Sequence, residues 1–219
     1  MDFQIQHIKV SKIARYAVWG NPGQNIKYYW FVLHGSRMTC EQMIYKFRDF
    51  DPETHLVIAP EGLNRYYASG FKGEVLSSWM TSRDRLHEIA DFSEYLSQLY
   101  QSFKEKIPSK ARQTILGFSQ GATTAFRWLH AKSEKLDNLV AYAGWIPEDI
   151  DLRKSKTNLD QIKLIYTYGL QDPYLTVERI ATMRQIIEKN QLDFSMIEYE
   201  GDHRIDRTHL HDLFISNIQ

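Results

Sequence analysis

Five residues, Gly117-Phe118-Ser119-Gln120-Gly121, spell the pattern G-x-S-x-G, which directs attention to the central hydroxyl as a nucleophile. A serine hydroxyl is weak at neutral pH. A base must take its proton, and a third group must hold that base in the right direction and tautomer. So short a pattern also arises by chance, and its setting carries the argument. Thr114-Ile115-Leu116 ahead of it has the character of a buried strand, and Ala122 to Leu129 behind it has helical periodicity, the strand, turn and helix that the motif requires. Small residues flank the serine because the turn is tight, and a Cβ at either glycine would collide with neighbouring elements. Ser119 then stands at a helix N-terminus, where free N–H groups and the helix dipole stabilise a developing oxyanion. In a purely structural role the same residues would make Ser119 a helix N-cap.

Of eight histidines, His203 is the candidate base. It lies in Gly201-Asp202-His203, just beyond the last predicted strand, where a loop returns it to the carboxyl edge of the sheet that Ser119 also reaches. His209 and His211 follow on a predicted helix, two residues apart and facing nearly opposite ways, so they cannot share a metal ion. The acid is expected between Ser119 and His203 in the chain. Asp172, in Gly169-Leu170-Gln171-Asp172-Pro173, follows a buried strand and faces the same edge; its structural alternative is a turn cap ahead of Pro173. Asp149 is the second candidate, and Asp202 is tethered too closely to His203 to reach its Nδ1 well. An oxyanion hole needs two converging donors. The N–H of Gln120 is one, and the turn Leu33-His34-Gly35-Ser36 offers Ser36, or Arg37 in its place, as the other.

These residues must be carried by a sheet. Continuous apolar segments, each closed by a breaker, run over Tyr28 to Leu33, His55 to Ala59, Gln113 to Phe118, Leu139 to Ala143, Leu164 to Tyr168 and Phe194 to Tyr199, the pattern of strands buried on both faces. Between them the period becomes helical, most clearly from Leu86 to Phe103 and also over Glu41 to Phe50, Gln120 to Ala131, Val177 to Lys189 and from Asp206 onward. Alternating strands and helices predict an α/β fold with a mostly parallel sheet covered on both faces. Phe3 to Val10 and Lys12 to Trp19 alternate with period two and predict an N-terminal antiparallel hairpin. No repeat or linker divides residues 1–219, which predicts a single domain. The stretch 61–80 is predicted as an irregular aromatic loop, a kind of segment that often serves function.

Composition narrows the function classes. Twenty-seven Lys plus Arg balance 27 Asp plus Glu, so no global field holds the chain on nucleic acid or an anionic membrane. The longest strongly apolar run, Tyr28 to Leu33, is far short of the ~20 residues that span a bilayer, and Met1-Asp2-Phe3-Gln4 lacks the features of a leader. Cys40 is the sole cysteine, which removes an internal disulfide framework and a Cys-cluster metal site and fits a reducing compartment. The expectation is a cytoplasmic protein with no metal, no cofactor and no nucleic-acid or integral-membrane partner.

Taken in order, Leu33-His34-Gly35, Ala59-Pro60-Glu61-Gly62, Gly117-Phe118-Ser119-Gln120-Gly121, Gly169-Leu170-Gln171-Asp172-Pro173 and Gly201-Asp202-His203 resemble the α/β-hydrolases of the phospholipase/carboxylesterase group, which includes acyl-protein thioesterases. The resemblance implies an α/β-hydrolase fold and cofactor-free cleavage of small carboxylic esters or thioesters through an acyl-enzyme, with Ser119, His203 and Asp172 as triad and Ser36 and Gln120 as oxyanion donors. Ala143-Gly144-Trp145-Ile146-Pro147 fits a segment of that group and places Trp145 near the acyl pocket. Tyr66, Tyr67, Trp79 and Met80, predicted beyond the carboxyl ends of the strands, are expected to join it as an aromatic wall. Two departures stand out: Ser36-Arg37-Met38-Thr39 lacks the Gly-Asp of many acyl-protein thioesterases, and 61–80 differs from the group's usual loop. A peptidase, an acyltransferase or a non-catalytic binding module on the same scaffold are the competing functions.

Overall fold

The computed structural model describes residues 3–219; Met1 and Asp2, which open the N-terminal stretch read above, lie outside them. Seven strands form one sheet: β1 (Tyr16–Trp19), β2 (Tyr28–Leu33), β3 (His55–Pro60), β6 (Arg112–Phe118), β7 (Asn138–Tyr142), β8 (Lys163–Gly169) and β9 (Phe194–Tyr199). Their order is β1-β3-β2-β6-β7-β8-β9, and every neighbouring pair is parallel except β1 with β3. A separate two-stranded ribbon pairs β4 (Asn64–Ser69) with β5 (Lys72–Ser78). This is the mostly parallel α/β sheet that the alternation of apolar runs and helical periods predicts.

Successive side chains of the central strands enter opposite layers, because a strand has period two. Tyr29, Phe31 and Leu33 join the core beneath α2 (Arg85–Lys104), α3 (Gln120–Ala131) and α4 (Val177–Lys189). Trp30 and Val32 face the other layer, under α1 (Cys40–Ile44) and α5 (Arg207–Leu213). Both faces of the sheet are therefore dry. That accounts for strands that read as unbroken apolar runs. The short α1 is fixed at its start by a capping box between Thr39 and Gln42, which satisfies two otherwise orphan N–H groups.

Two expectations are corrected. The N-terminal strand is antiparallel, but its partner is β3, and residues 3–15 form no strand. Val10-Ser11-Lys12 holds none of the glycine, asparagine or proline that a tight reversal needs. The segment instead crosses the start of α2, where His7 Nε2 meets Asp84 Oδ1 at 3.2 Å, and Phe3, Ile5, Ile8, Val10 and Ile13 remain exposed. The stretch 61–80 is not an irregular loop either. It is the β4–β5 ribbon with its turn at Gly70 and Phe71. Over most of its length both faces of the ribbon are open to solvent, with only Leu76, Ser77 and Ser78 buried, so its sequence lacks the apolar run that marks the buried strands.

Candidate active site

The carboxyl ends of β2, β6, β7 and β8 meet at one edge, and each chain leaves by a sharp turn. Ser119 sits between β6 and α3 with φ 52° and ψ −118°, a left-handed conformation that costs a non-glycine residue of the order of 1–3 kcal/mol. The flanking packing enforces it. A Cβ on Gly121 would lie 2.2 Å from the Leu33 carbonyl oxygen, so only glycine lets the start of α3 press against the end of β2. The Ser119 N–H donates to the Tyr142 carbonyl at 2.9 Å. Left-handed backbone recurs in the adjoining turns at Arg37 (φ 65°) and Ala143 (φ 49°).

From this turn Ser119 Oγ lies 2.9 Å from His203 Nε2, and His203 Nδ1 lies 2.6 Å from Asp172 Oδ2. The expected three residues thus form one hydrogen-bonded chain, with Asp172 buried and His203 partly open to the cavity. The imidazole is clasped by the rings of Phe118 and Tyr174, whose centroids lie 5.0 and 4.7 Å away. The loops that carry acid and base are held together by backbone: Leu170 N–H donates to Tyr199 and Gln171 N–H to Gly201. A Cβ at Gly169 would lie 2.2 Å from the Gly201 oxygen. Asp172 also fills its structural alternative, since its Oδ1 accepts the Tyr174 N–H at 2.8 Å. One carboxylate closes the turn and faces the imidazole.

The second acid candidate is occupied elsewhere. Asp149 accepts from Arg127 at 2.6 Å and from Arg85 at 3.0 Å, and Asp202 pairs with Arg204. His209 Nε2 meets Thr167 Oγ1 at 2.7 Å, whereas His211 packs near Phe50; the two point to different surroundings. Among the described residues, Cys40, Glu41 and Glu61 offer the one group with ligand atoms close enough to share a metal ion. Arg15 pairs with both carboxylates, and burial pushes the Cys40 thiol far above its ordinary range, so its donors are already matched to a cation of the chain.

The turn after β2 is organised by His34, whose role in the site sequence reasoning missed. Its Nδ1 lies 2.7 Å from the Gly35 carbonyl, and its Nε2 accepts the Gly62 N–H at 2.9 Å. An N–H pointing at Nε2 fixes the proton on Nδ1, so Nδ1–H donates to Gly35. Burial drives the imidazole down to about 4, against the upward pull of the Gly35 bond and the Glu61 charge. The Gly35 carbonyl and the Ser36 N–H belong to one trans peptide and point opposite ways. Tying that carbonyl to His34 therefore turns the Ser36 N–H away from His34. The Arg37 N–H is spent on the Ser77 carbonyl at 2.9 Å, which removes the alternative donor. Ser36 and Gln120 both line the cavity at Ser119, and Gly35 packs so closely that a Cβ there would come within 3.2 Å of Ser119 Cβ.

The expected aromatic wall is largely elsewhere. Trp79 is 1% exposed, stacks on His34 at 4.8 Å and donates Nε1–H to the His34 carbonyl at 2.8 Å. It is core, because that indole proton has a buried carbonyl to satisfy. Tyr66 and Tyr67 stand exposed on the ribbon and do not line the cavity at Ser119. Trp145 does line that cavity, of about 400 Å³, together with Arg37, Thr123, Tyr174, Leu175 and Arg179. Met80 lines a neighbouring depression that shares Thr123 and Trp145 with it. Sequence reasoning also missed the Gln120 side chain. Its amide oxygen accepts from Ser78 Oγ and the Trp79 N–H, and its Nε2 donates to the Met80 carbonyl at 2.8 Å, clamping the end of the ribbon beside the nucleophile turn. Nothing local in the chain marks that role.

Comparison with known proteins agrees with this architecture. A family model described as phospholipase/carboxylesterase matches residues 73–217. No curated protein sequence matches the chain. Among solved structures, a phospholipase/carboxylesterase from Dyadobacter fermentans is 18% identical, covers 96% of this chain and 99% of its own, and has a TM-score of 0.69. Acyl-protein thioesterase 2 from Zea mays is 17% identical, covering 92% of this chain and 96% of its own with a TM-score of 0.69. A Bacillus cereus carboxylesterase is 12% identical, with 91% of each chain covered and a TM-score of 0.64. At these identities the solved structures speak for the fold, while the family match spans more than half of the chain. The chain belongs to the phospholipase/carboxylesterase family of α/β-hydrolases, which are carboxylesterase-type enzymes.

Proposed function

We propose that the protein hydrolyses carboxylic esters through an acyl-enzyme, with Ser119 as nucleophile, His203 as general base and acid, and Asp172 as the group that orients the imidazole. One observation carries the reading: the unbroken chain from Ser119 Oγ to His203 Nε2 at 2.9 Å and from His203 Nδ1 to Asp172 Oδ2 at 2.6 Å, set on a strained turn at the head of a helix. Ser119 Oγ bonds to the ester carbonyl carbon as its proton passes to Nε2. The carbon–oxygen bond to the alcohol then breaks, and His203 hands that proton to the departing oxygen. Water, deprotonated by the same imidazole, returns the acid and restores the serine. The N–H groups of Gln120 and Ser36 are the donors for the oxyanion.

No cofactor enters this scheme, and the substrate is a small ester that reaches the cavity from solvent. Among the described residues no helix is long and apolar enough to cross a membrane. The test is turnover of p-nitrophenyl esters of rising chain length by the wild type and Ser119→Ala. Loss of a triad member removes up to roughly 10⁶ in rate. Substantial activity in the variant, with an unchanged circular dichroism spectrum, rejects the assignment.

A further inference from the structure

The cavity at Ser119 has an unusual charge lining. Arg37 and Arg179 border it, and no carboxylate among the described residues does; Asp172 lies buried behind His203. The chain as a whole carries equal numbers of acidic and basic residues, so this wall is a local choice and not the reflection of a basic protein. Many arginines elsewhere are matched, as Arg127 and Arg85 are to Asp149, Arg153 to Asp151 and Arg207 to Asp49, and those without an ion pair among the described residues, such as Arg65 and Arg112, do not line this cavity. Neither Arg37 nor Arg179 is in an ion pair among the described residues. Arg179 is held by its backbone-directed bond, Nη1 to the Tyr174 carbonyl at 2.9 Å, which leaves the rest of its planar fork free. Arg37 occupies a left-handed backbone position at φ 65°, strain placed on the residue that follows the proposed oxyanion donor.

The reaction fixes which half of a substrate meets Arg179. His203 must deliver its proton to the departing atom, so the leaving group lies on the imidazole side of the cavity. Tyr174 packs edge-on against that imidazole, with ring centroids 4.7 Å apart, and the same residue's carbonyl anchors Arg179. The arginine thus borders the leaving-group side. Guanidinium forks recognise carboxylate and phosphate oxygens in their own plane, and two unneutralised forks beside a reacting carbonyl also raise the local concentration of anions.

We propose that the site selects esters whose leaving alcohol carries a net negative charge, with Arg179 as the residue that recognises it and Arg37 adding to the positive field of the cavity. This rests on the serine-hydrolase reading above. The experiment compares 4-acetoxybenzoate with 4-acetoxybenzamide, which share an acetyl group and differ in the charge of the leaving phenol. For each enzyme form the readout is the ratio of kcat/KM for the anionic ester to that for the neutral one, so intrinsic reactivity cancels between forms. An exposed ion pair contributes a factor of roughly two to five, so the ratio should fall about tenfold in R37Q/R179Q and invert toward the neutral ester in R37E/R179E. In the wild type the ratio should also fall with added salt. A ratio unchanged by both double substitutions and by salt, with hydrolysis still dependent on Ser119, overturns the inference and leaves the hydrolase reading standing. If neither ester is cleaved in a Ser119-dependent way, the hydrolase reading itself fails and the inference falls with it.

Discussion

Replacing His34 with glutamine removes a titrating group from the centre of the turn after β2, and the structure sets the size of the effect. In the folded chain the imidazole is buried and neutral, with its affinity for a proton lowered from the ordinary 6.5 to about 4. In the unfolded chain it has no such penalty. Between those two values the unfolded state holds a proton that the folded state refuses, so folding stability falls as pH falls through that window. Above about pH 6.5 the contribution is fully present, and it is lost progressively toward pH 4. Integrated from about pH 7.5 down to about 4.5, the loss is about 2.5 kcal/mol. His34→Gln should be less stable than wild type at neutral pH by roughly 2–3 kcal/mol, because the Gly62 N–H and the Gly35 carbonyl lose matched partners. It should lack the His34 share of the acid-side loss, so the gap between the two proteins narrows by about 2.5 kcal/mol at the lower pH. Urea unfolding followed by circular dichroism at the two pH values, at constant ionic strength, measures the gap directly. His55 and His209, also lowered by burial, titrate in both proteins and cancel. A gap that stays constant would refute the buried neutral imidazole, and with it the fixed peptide that turns the Ser36 N–H from His34.

Other outcomes follow from the same geometry. Asp172→Asn should leave the imidazole in the wrong tautomer and cost on the order of 10⁴ in kcat, while Oδ1 of the asparagine still accepts the Tyr174 N–H, so thermal unfolding should change little. Asp149→Asn should do the reverse: the buried Arg127 guanidinium loses its charged partner, at a cost of roughly 1–2 kcal/mol given that the carboxylate end is open to solvent, and ester turnover per folded molecule should hold. Trp79→Ala should destabilise by about 3–5 kcal/mol, as expected for a large core side chain, and the ranking of p-nitrophenyl esters by chain length in the remaining folded enzyme should stay as in wild type; a shift toward longer esters would return Trp79 to the pocket wall.

What could be read in the chain was whatever has a local cause. The G-x-S-x-G turn is legible because steric exclusion at Gly117, where a Cβ would lie 2.4 Å from the Gly121 carbonyl oxygen, acts on immediate neighbours in the motif, and Asp172 and His203 are legible because parallel strands deliver their following loops to one edge. Strands buried on both faces announce themselves by composition, as Tyr28–Leu33 does. The rest depends on partners far away in the chain. Trp79 is aromatic and flanked by loop-like residues, yet its place is decided by the His34 carbonyl. The ribbon of β4 and β5 is open on both faces over most of its length, and Tyr66, Tyr67 and Val75 give no sign of which residues pair. The period-two pattern of residues 3–10 is genuine, but a strand forms only where an edge accepts it, and β1 holds the edge of β3.

The sheet order has a consequence for the growing chain. β9 is an edge strand that bonds only to β8, and the loop that follows it carries His203. Ser119 and its turn precede that strand in the chain, whereas the loop of Asp172 takes its backbone bonds from Tyr199 and Gly201, so Asp172 and His203 reach their places together when β9 docks. Without the imidazole the serine keeps its proton. If the proposed triad holds, the growing chain gains hydrolysis only when its ninth strand docks, and the onset of activity marks the moment at which the sheet is complete.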